Sequence, residues 1–426
     1  MQQQDTGLAA RRDAFTPMPR PDWVKSVNEE GQCMDIKSLV PLDENSLIET
    51  AKANTGLDDF GVDEWRERFQ VLCKAFDEES QLNLMGRLTT RSEMLTFLQS
   101  RLLIEDQYKR HPEIEDEVIS RPVYIVGQGR SGTSFLQNLL SADPNNGTPR
   151  AWELMMPVPA PEKATYFTDP RIEKARALAG QINRIVPEME SLHEYSTDVP
   201  TESAHVQCLA FGSVGWISAT YAQVPSFGAY MAGKSMVPVY EYEKRVMKYM
   251  QWKNPRHHWI MKSPLCLPDM PAIREVHPDV SFIWPHRDPV KALASMVNMV
   301  GTLHWSRSET PFIDGFDALT DAKASAQLLD LPIQWIESGV IPRDQILNIQ
   351  YLDFVADPMG MVEKIYETFD IEMAPDGRAG MQTYLDDNPR SSRPAHKYPD
   401  DWGNLDAERA AYERYQSYFG VPNEIG

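Results

Sequence analysis

The sequence is short of positive charge. In 426 residues, 42 Lys and Arg stand against 62 Asp and Glu, which gives a formal net charge of −20. Such a field repels polyanions, so it argues against nonspecific binding to nucleic acid or to an anionic membrane. An anionic ligand therefore needs a local basic pocket. With 42% hydrophobic and 24% charged residues, the chain is typical of globular proteins of two to three domains or one large elaborated domain.

Long apolar runs are lacking as well. No stretch approaches the length of about 18 apolar residues that indicates a membrane span. The first residues, MQQQDTGLAARRD, have no apolar segment typical of a secretory signal. The cysteines are few and scattered, with no CxxC pair and no zinc spacing. These absences predict a cytoplasmic protein with reduced thiols.

The hydropathy pattern divides the chain into three parts. Residues 1–55 are poorly patterned, residues 56–118 have apolar side chains at helical spacing, and residues 119–426 alternate between short apolar runs and helical stretches. Alternation of strand and helix predicts an α/β fold in which helices flank a parallel sheet. Residues 145–237, rich in Pro, Met and aromatics, contain no clear strand and are expected to form an insert that binds the substrate. The predicted strands are 121–127, 258–263, 280–286 and 345–351.

A glycine-rich turn follows the first predicted strand. Residues 127–134 read GQGRSGTS, which contains the GxGxxG pattern of dinucleotide-binding folds. That pattern also requires a second strand ending in an acid, and no apolar strand leads to Glu153, the acid at the right distance. The turn also resembles a Walker A loop, but Thr133 stands where that loop has its lysine. The context therefore favours neither nucleotide-binding motif.

The same turn has the composition of an anion-binding cradle. Backbone N–H groups at a helix start, together with the helix dipole, attract an anion. Arg130 adds a positive charge, and Ser131, Thr133 and Ser134 add hydroxyl donors. Such a cradle suits a phosphosulfate, because its transferring group carries less charge than a γ-phosphate and needs no metal. The alternative is a glycine turn that tightens the packing of strand and helix.

A second basic motif follows the predicted strand 280–286. Arg287 comes directly after it, Pro289 suits the first turn of a helix, and Ser295 falls about two turns further on. An arginine fork and a hydroxyl in this arrangement would bind a second phosphate. The alternative is that Asp288 caps the helix and Arg287 is solvated.

Together these motifs resemble the sulfotransferase family that uses 3′-phosphoadenosine 5′-phosphosulfate (PAPS), in its bacterial and Golgi-type branch with an RSGT loop. IVGQGRSGTSFL resembles the 5′-phosphosulfate loop, and HRDPVKALAS resembles the 3′-phosphate motif with the same Arg-to-Ser spacing. The resemblance extends over about residues 55–420. It implies a P-loop-like α/β fold and metal-independent transfer of a sulfuryl group from PAPS to a hydroxyl or amine, leaving adenosine 3′,5′-bisphosphate (PAP). Further matching segments are AWELMMP, WIMKSP, NIQYLDFVADP and HKYPDDWG.

The resemblance also implies which residues bind the donor. Arg130 and the N–H groups of its loop would hold the 5′-phosphosulfate, and Arg287 and Ser295 would hold the 3′-phosphate. Residues 393–398 lie where the family closes over the nucleotide. The full set of cofactor-binding residues implied in this way is Arg130, Ser131, Gly132, Thr133, Ser134, Arg287, Ser295, Tyr351 and Lys397.

Three residues are expected to act in the transfer itself. Lys262 ends the second predicted strand on the ligand side of the sheet and would neutralise the charge of the leaving group. Arg130 would act as a clamp, because arginine does not release its proton. Glu153 lies where related enzymes carry a catalytic glutamate, and desolvation would prepare it to accept a proton. The alternative bases are Asp198, Glu202 and His205, which helical spacing in DVPTESAH places on one face.

The aromatic and Met residues of the insert favour a small and rather apolar acceptor. The sequence leaves the identity of the acceptor and the oligomeric state open. Two other functions also stay open at this point. One is a nucleotide kinase on a degenerate P-loop, and the other is a non-catalytic protein that binds adenine nucleotides.

Overall fold

The structure is a computed structural model, and it describes residues 10–192, 199–313, 319–389 and 404–425. These residues contain a parallel sheet of five strands in the order β2-β3-β1-β4-β5. Val123 in the central strand pairs with Ile260 on one side and with Ser281 on the other. The predicted α/β fold with a parallel sheet is confirmed. The strands are β1 Val123–Ile125, β2 Asn146–Gly147, β3 His258–Lys262, β4 Ser281–His286 and β5 Ile346–Gln350.

Strand β2 was not predicted, whereas the four longer strands were. It consists of two residues, Asn146 and Gly147, that pair with the start of β3 at the edge of the sheet. Neither residue is apolar, and two residues are too few to show the alternation that identifies a strand. The pairing with its neighbour therefore defines β2, and no local pattern does.

The amino-terminal part of the chain is helical. The helices predicted within 56–118 are present as two long segments, and shorter helices precede them. One of these, Asp22–Gly31, lies in the segment that the sequence pattern left unassigned, and its Val24 is fully buried against Met85 and Ile185. The helices are α1 Ala10–Asp13, α2 Asp22–Gly31, α3 Ile36–Leu39, α4 Glu44–Thr55, α5 Glu64–Glu78 and α6 Leu84–Arg110.

The remaining helices connect and cover the strands. Helix α7 Thr133–Ser141 connects β1 to β2. The helices between β2 and β3 form most of the predicted insert. In the described ranges they are α8 Ala151–Met155, α9 Pro170–Ala179, α10 Gln181–Ile185, α11 Met189–Leu192, α12 Ser203–Gln207, α13 Val214–Thr220, α14 Pro225–Ala232 and α15 Val237–Gln251. After β3 come α16 Met270–Val276, α17 Pro289–Trp305, α18 Ala322–Glu337, α19 Tyr351–Ala356, α20 Pro358–Thr368, α21 Pro375–Asp387, α22 Leu405–Ala411 and α23 Glu413–Phe419.

Both faces of the sheet are buried. In and after β1, Tyr124 and Val126 belong to one apolar cluster, while Val123 and Ile125 belong to another. This burial explains why the strands read as continuous apolar runs, as is usual for parallel sheets covered by helices. Within the described residues, no helix combines the length and the apolar composition that crossing a membrane requires.

The topology brings the predicted functional segments to one edge of the sheet. The glycine-rich turn follows β1, Lys262 ends β3, Arg287 follows β4 and Tyr351 follows β5. All these strands are parallel, so their carboxyl ends meet at the same edge. Four segments that are distant in sequence therefore converge on one place.

Candidate active site at the carboxyl edge of the sheet

The turn between β1 and α7 is tightly wound. Gly127 and Gly132 have positive φ angles of 127° and 91°, and Arg130 also has a positive φ of 70°. A Cβ atom on Gly127 would lie 2.7 Å from the Trp284 ring, and one on Gly132 would lie 3.0 Å from the Tyr351 ring. Glycine is therefore required at both positions. The first N–H groups of α7 have no intrahelical acceptor, so the loop can bind an anion there.

The two predicted basic motifs meet beside this loop. Nε of Arg130 donates to Oγ of Ser295 at 2.9 Å, and Nη1 of Arg287 donates to the carbonyl oxygen of Arg130 at 2.7 Å. The Arg287 guanidinium also lies 4.2 Å from the centroid of the Tyr351 ring. Two arginines, a hydroxyl and an aromatic face are thus gathered at one point. This set of donors suits a phosphate group.

The three hydroxyls of the loop have different surroundings. Ser131 is fully buried, and its Oγ donates to the carbonyl oxygen of Gln128 at 2.7 Å. Its hydroxyl therefore makes a hydrogen bond within the turn, and its role in binding an anion stays a prediction. Thr133 is also buried. Ser134, by contrast, lines a cavity and accepts a hydrogen bond from Nζ of Lys262 at 3.3 Å.

Lys262 lies at the junction of the loop and the insert. Its side chain is buried, and Nζ lies 2.6 Å from Oε1 of Glu202. The second carboxylate oxygen of Glu202 accepts a hydrogen bond from Oγ of Ser263 at 2.8 Å. Lys262 is therefore shared between the loop and Glu202. This arrangement places a cation and a carboxylate next to the anion-binding turn.

Glu153, the expected base, occupies a different place. Its carboxylate accepts a hydrogen bond from the backbone N–H of Arg150 at 2.8 Å and another from Arg256 at 3.2 Å. The side chain is completely buried, and it does not line the cavity that contains Lys262. Burial raises the pKa of Glu153, and the charge of Arg256 opposes that effect. These contacts give Glu153 a structural position in α8, and its expected role as the base stays a prediction.

Glu202 and His205, two of the alternative bases, do not lie in one helix. The helix begins at Ser203, and Glu202 precedes it with extended backbone angles, so the helical spacing proposed for 198–205 is wrong. The prediction failed because the spacing of Asp198, Glu202 and His205 matches helical turns, whereas the backbone from Val199 to Glu202 is not helical. Asp198 lies outside the described residues, as do Lys397 and the whole of 393–398.

His205 nevertheless lines the same cavity as Glu202. Its Nδ1 lies 3.1 Å from Oγ1 of Thr201, and its ring stacks on Trp216 at a centroid distance of 5.2 Å. Burial lowers the pKa of His205 to about 4, which the negative charge of Glu202 only partly offsets. The imidazole is therefore neutral near pH 7.

The cavity beside Lys262 has a volume of about 540 Å³. Arg130, Ser134, Lys262 and Glu202 form part of its wall. Helix α6 and the insert supply most of the rest, so the amino-terminal helical region takes part in the site. The apolar residues of the wall are Phe97, Phe135, Ala151, Met155, Leu178, Ala179, Ile182, Ile185, Leu192, Val199, Pro200, Trp216 and Leu303.

One charged neighbour of the site was not anticipated. Glu424 accepts a hydrogen bond from Nε of Arg287 at 2.8 Å and from Nζ of Lys291 at 2.9 Å. Lys291 belongs to the HRDPVK segment, so the sequence could have indicated it as part of the site. No sequence pattern, however, links Glu424 to Arg287, which lies 137 positions earlier. Asp288 caps α17, and it also binds Arg409 at 2.6 Å.

Comparison with known proteins agrees with this geometry. Residues 122–375, more than half of the chain, match the model of the sulfotransferase family. Omega-hydroxy-beta-dihydromenaquinone-9 sulfotransferase Stf3 of Mycobacterium bovis is 22% identical over 262 residues. The same protein of Mycobacterium tuberculosis matches equally. The match covers 59% of this chain and 63% of each relative.

Two solved structures share the fold. Sulfotransferase STF9 from Mycobacterium avium superposes with a TM-score of 0.77 at 24% identity, covering 90% of this chain and 98% of the other. Sulfotransferase STF1 from Mycobacterium tuberculosis H37Rv gives a TM-score of 0.71 at 24% identity, with 87% and 98% covered. The motifs, the fold and the family match agree, and the chain belongs to the sulfotransferase family, a family of transferases.

Proposed function

We propose that this protein transfers a sulfuryl group from PAPS to a hydroxyl of a small and rather apolar acceptor. The observation that carries the proposal is the convergence of Arg130, Arg287 and Ser295 beside the glycine-rich turn. Lys262 and a largely apolar cavity adjoin this cluster. A phosphate-binding set next to an enclosed apolar space is what a transfer between a nucleotide and an apolar alcohol requires.

The donor would bind at two anion sites. The turn and the start of α7 suit the 5′-phosphosulfate, with Arg130 as a clamp. Arg287 and Ser295 suit the 3′-phosphate, and the Tyr351 ring beside Arg287 adds an apolar face. The contribution of Lys397, outside the described residues, stays a prediction.

The chemistry requires a charge-compensating cation and a base. The acceptor oxygen forms a bond to sulfur while the bond from sulfur to the bridging oxygen of the phosphosulfate breaks, and PAP leaves. Lys262, held at 3.3 Å from Ser134 of the loop, is positioned to compensate the charge that develops on the leaving oxygen. With Arg130 also present, positive side chains fill the role that a metal ion has in many phosphoryl transferases.

For the base we favour Glu202 over Glu153. Glu202 lines the cavity and contacts Lys262. Glu153, in α8, instead accepts hydrogen bonds from Arg150 and Arg256. As Lys262 turns towards the leaving group, the Glu202 carboxylate becomes available to accept the proton of the acceptor hydroxyl. His205 is a second base that lines the same cavity, and its neutral ring leaves it able to accept a proton.

The acceptor class follows from the cavity wall. Apolar side chains supply the larger part of its surface, which favours an acceptor with an apolar body over a charged glycan. The mycobacterial relative is named for omega-hydroxy-beta-dihydromenaquinone-9, a hydroxylated menaquinone, which supports an apolar alcohol here as well. A nucleotide kinase is not favoured, because Thr133 replaces the lysine that contacts the β- and γ-phosphates. The predicted cytoplasmic location stays a prediction.

The test is a calorimetric titration with PAP and, in parallel, with ATP, each with and without magnesium. We expect PAP to bind without metal, and we expect Arg287→Ala and Arg130→Ala each to weaken binding by about 10–100-fold. Arg66→Ala is the matched control, because Arg66 is half exposed and pairs with Glu44 of α4 in the amino-terminal helical region. ATP binding that requires magnesium, with no response to PAP, would overturn the proposal. Transfer of radiolabelled sulfate from PAPS to alcohols then measures turnover.

A further inference from the structure

Helix α6 supplies one wall of the acceptor cavity. Thr89, Glu93 and Phe97 line it on successive turns, because residues four apart lie on the same face of a helix. Glu93 is the acidic residue of this face, and its side chain keeps 41% of its accessible surface. A carboxylate thus opens into a cavity whose wall is mostly apolar.

The Glu93 carboxylate has a buried counter-charge. Nη2 of Arg307 donates to Oε2 of Glu93 at 2.8 Å, and the Arg307 side chain is only 4% exposed. Nη1 of Arg307 donates to the hydroxyls of Thr89 at 3.1 Å and Thr90 at 3.0 Å. These contacts fix the Arg307 side chain against α6, and the Glu93–Arg307 pair carries no net charge.

Tyr221 completes this polar cluster. The Arg307 guanidinium lies 4.6 Å from the centroid of the Tyr221 ring, and Tyr221 also hydrogen-bonds Glu93. Desolvation by burial raises the pKa of Glu93, although the charge and the hydrogen bond of Arg307 act to lower it. Both Arg307 and Tyr221 line the cavity with Glu93. A guanidinium has five N–H groups and a carboxylate has about four lone pairs, so the pair retains both a donor and acceptor sites.

An aromatic layer separates this cluster from Lys262. Phe97 lies one turn beyond Glu93, and its ring meets His205 at a centroid distance of 5.7 Å. His205 stacks in turn on Trp216, and Glu202, the partner of Lys262, immediately precedes the helix that carries His205. The cavity wall is thus polar beside Lys262, aromatic in the middle and polar again at Glu93.

We infer that Glu93 and Arg307 bind a second hydroxyl of the acceptor, so that the acceptor has two oxygen functions joined by an apolar body. This inference rests on the proposed function and names the substrate class of that site. A hydroxyl both donates and accepts, which matches one carboxylate oxygen and one guanidinium N–H. An ammonium or carboxylate group fits less well, because the pair is already neutral and would leave such a charge uncompensated in the cavity.

The experiment compares 1-alkanols with α,ω-alkanediols of the same length, from eight to fourteen carbons, as acceptors for labelled sulfate from PAPS. At the best chain length we expect kcat/KM for the diol to exceed that for the alkanol by about tenfold or more, because a site built for a hydroxyl rejects the analogue that lacks it. In Glu93→Leu the ratio of diol to alkanol kcat/KM should fall to the statistical factor of two equivalent ends. Glu93→Gln, which keeps the shape and an acceptor oxygen, should give an intermediate ratio.

Thr96→Val is the matched control, because Thr96 lines the cavity on the same helix and its hydroxyl only bonds the carbonyl oxygen of Ser92. This variant should keep the wild-type ratio. The inference would be overturned if the wild-type ratio of diol to alkanol kcat/KM equalled the statistical factor at every chain length, or if both Glu93 variants kept the wild-type ratio.

PAP titration of each variant separates this inference from the proposed function. If the wild type binds PAP but shows no diol preference, or transfers to neither alcohol, this inference alone fails; if PAP does not bind, the proposed function fails.

Discussion

Glu424 and Arg287 form a bidentate ion pair at the donor site, with Nε 2.8 Å from Oε1 and Nη2 3.2 Å from Oε2. Lys291 binds the same carboxylate at 2.9 Å. Burial alone would raise the pKa of Glu424, but the hydrogen bonds from Arg287 and Lys291 outweigh it, and the pKa lies below its ordinary value. The carboxylate is therefore ionised near pH 7, and it would stand beside the 3′-phosphate that we assign to Arg287.

The first prediction concerns this carboxylate. Two negative groups on one arginine repel each other, so we expect Glu424→Gln to bind PAP more tightly than the wild type, by about 3–10-fold at low salt. Isothermal titration calorimetry at two salt concentrations measures the change. Glu413→Gln, on the neighbouring helix α23, is the control for net charge. Weaker PAP binding in Glu424→Gln would mean that the carboxylate instead orients Arg287 for the phosphate.

The second prediction separates chemistry from donor binding at Lys262. Lys262→Met keeps the length of the side chain but removes the charge that would stabilise the leaving group. We expect kcat to fall by about 10²–10³-fold, while the affinity for PAP changes much less than in Arg287→Ala. Steady-state kinetics with labelled PAPS and PAP titration provide the two numbers. An equal loss in both would assign Lys262 to donor binding only.

The third prediction distinguishes the two glutamates. Glu202→Gln should lower kcat by about 10²–10⁴-fold, the usual range for loss of a general base. Glu153→Gln should leave kcat near the wild-type value but lower the free energy of unfolding by about 1–3 kcal/mol, because the buried Arg256 loses an ionic partner. Urea unfolding and steady-state rates on both variants test this. The reverse pattern would restore Glu153 as the base.

The fourth prediction concerns a buried carboxyl beneath the site. Burial raises the pKa of Glu243 to about 8, although Tyr124 and Gln207 hydrogen-bond its carboxylate. The folded protein therefore holds this proton up to about pH 8, whereas the unfolded chain loses it near pH 4.5. Since the folded state binds more protons in that window, Glu243 makes stability fall as the pH rises through it, by on the order of a few kcal/mol.

Urea unfolding at pH 5.5 and pH 8.5 tests this sign. The wild type should lose stability between the two values, and Glu243→Gln should lose distinctly less. Asp269, whose pKa burial raises to about 7, acts in the same direction and should leave part of the slope in the variant. Equal slopes in wild type and Glu243→Gln would show that Glu243 titrates in its ordinary range.

The proposed donor-binding part of the site could be predicted from the sequence because each of its motifs is a short continuous segment. The RSGT turn and the spacing from Arg287 to Ser295 each lie within one strand-to-helix connection, where backbone geometry dictates the residue types. The parallel sheet then brings the two connections to one edge, as the strand pattern implied. Convergence of Arg130 with Ser295 is thus a consequence of features that short segments encode.

The acceptor half was not predictable in the same way. Glu93, Arg307 and Tyr221 come from three distant segments, and each looks like an ordinary residue of a helix or loop. Glu153 presents the opposite case. It has the spacing of a catalytic residue, but the side chain turns back to cap its own helix and to pair with Arg256. Only tertiary packing decides whether such a carboxylate faces a cavity or the interior.

The position of helix α6 has a consequence for how selectivity could be changed. The family match covers residues 122–375, yet the wall of the cavity that carries Glu93 and Phe97 lies before it. Part of the acceptor wall is thus encoded outside the stretch that carries the proposed donor-binding loops, although the insert within that stretch supplies most of the rest. Exchanging the cavity-facing residues of this helix would therefore change one wall of the cavity and leave the glycine-rich turn, Arg287 and Ser295 untouched.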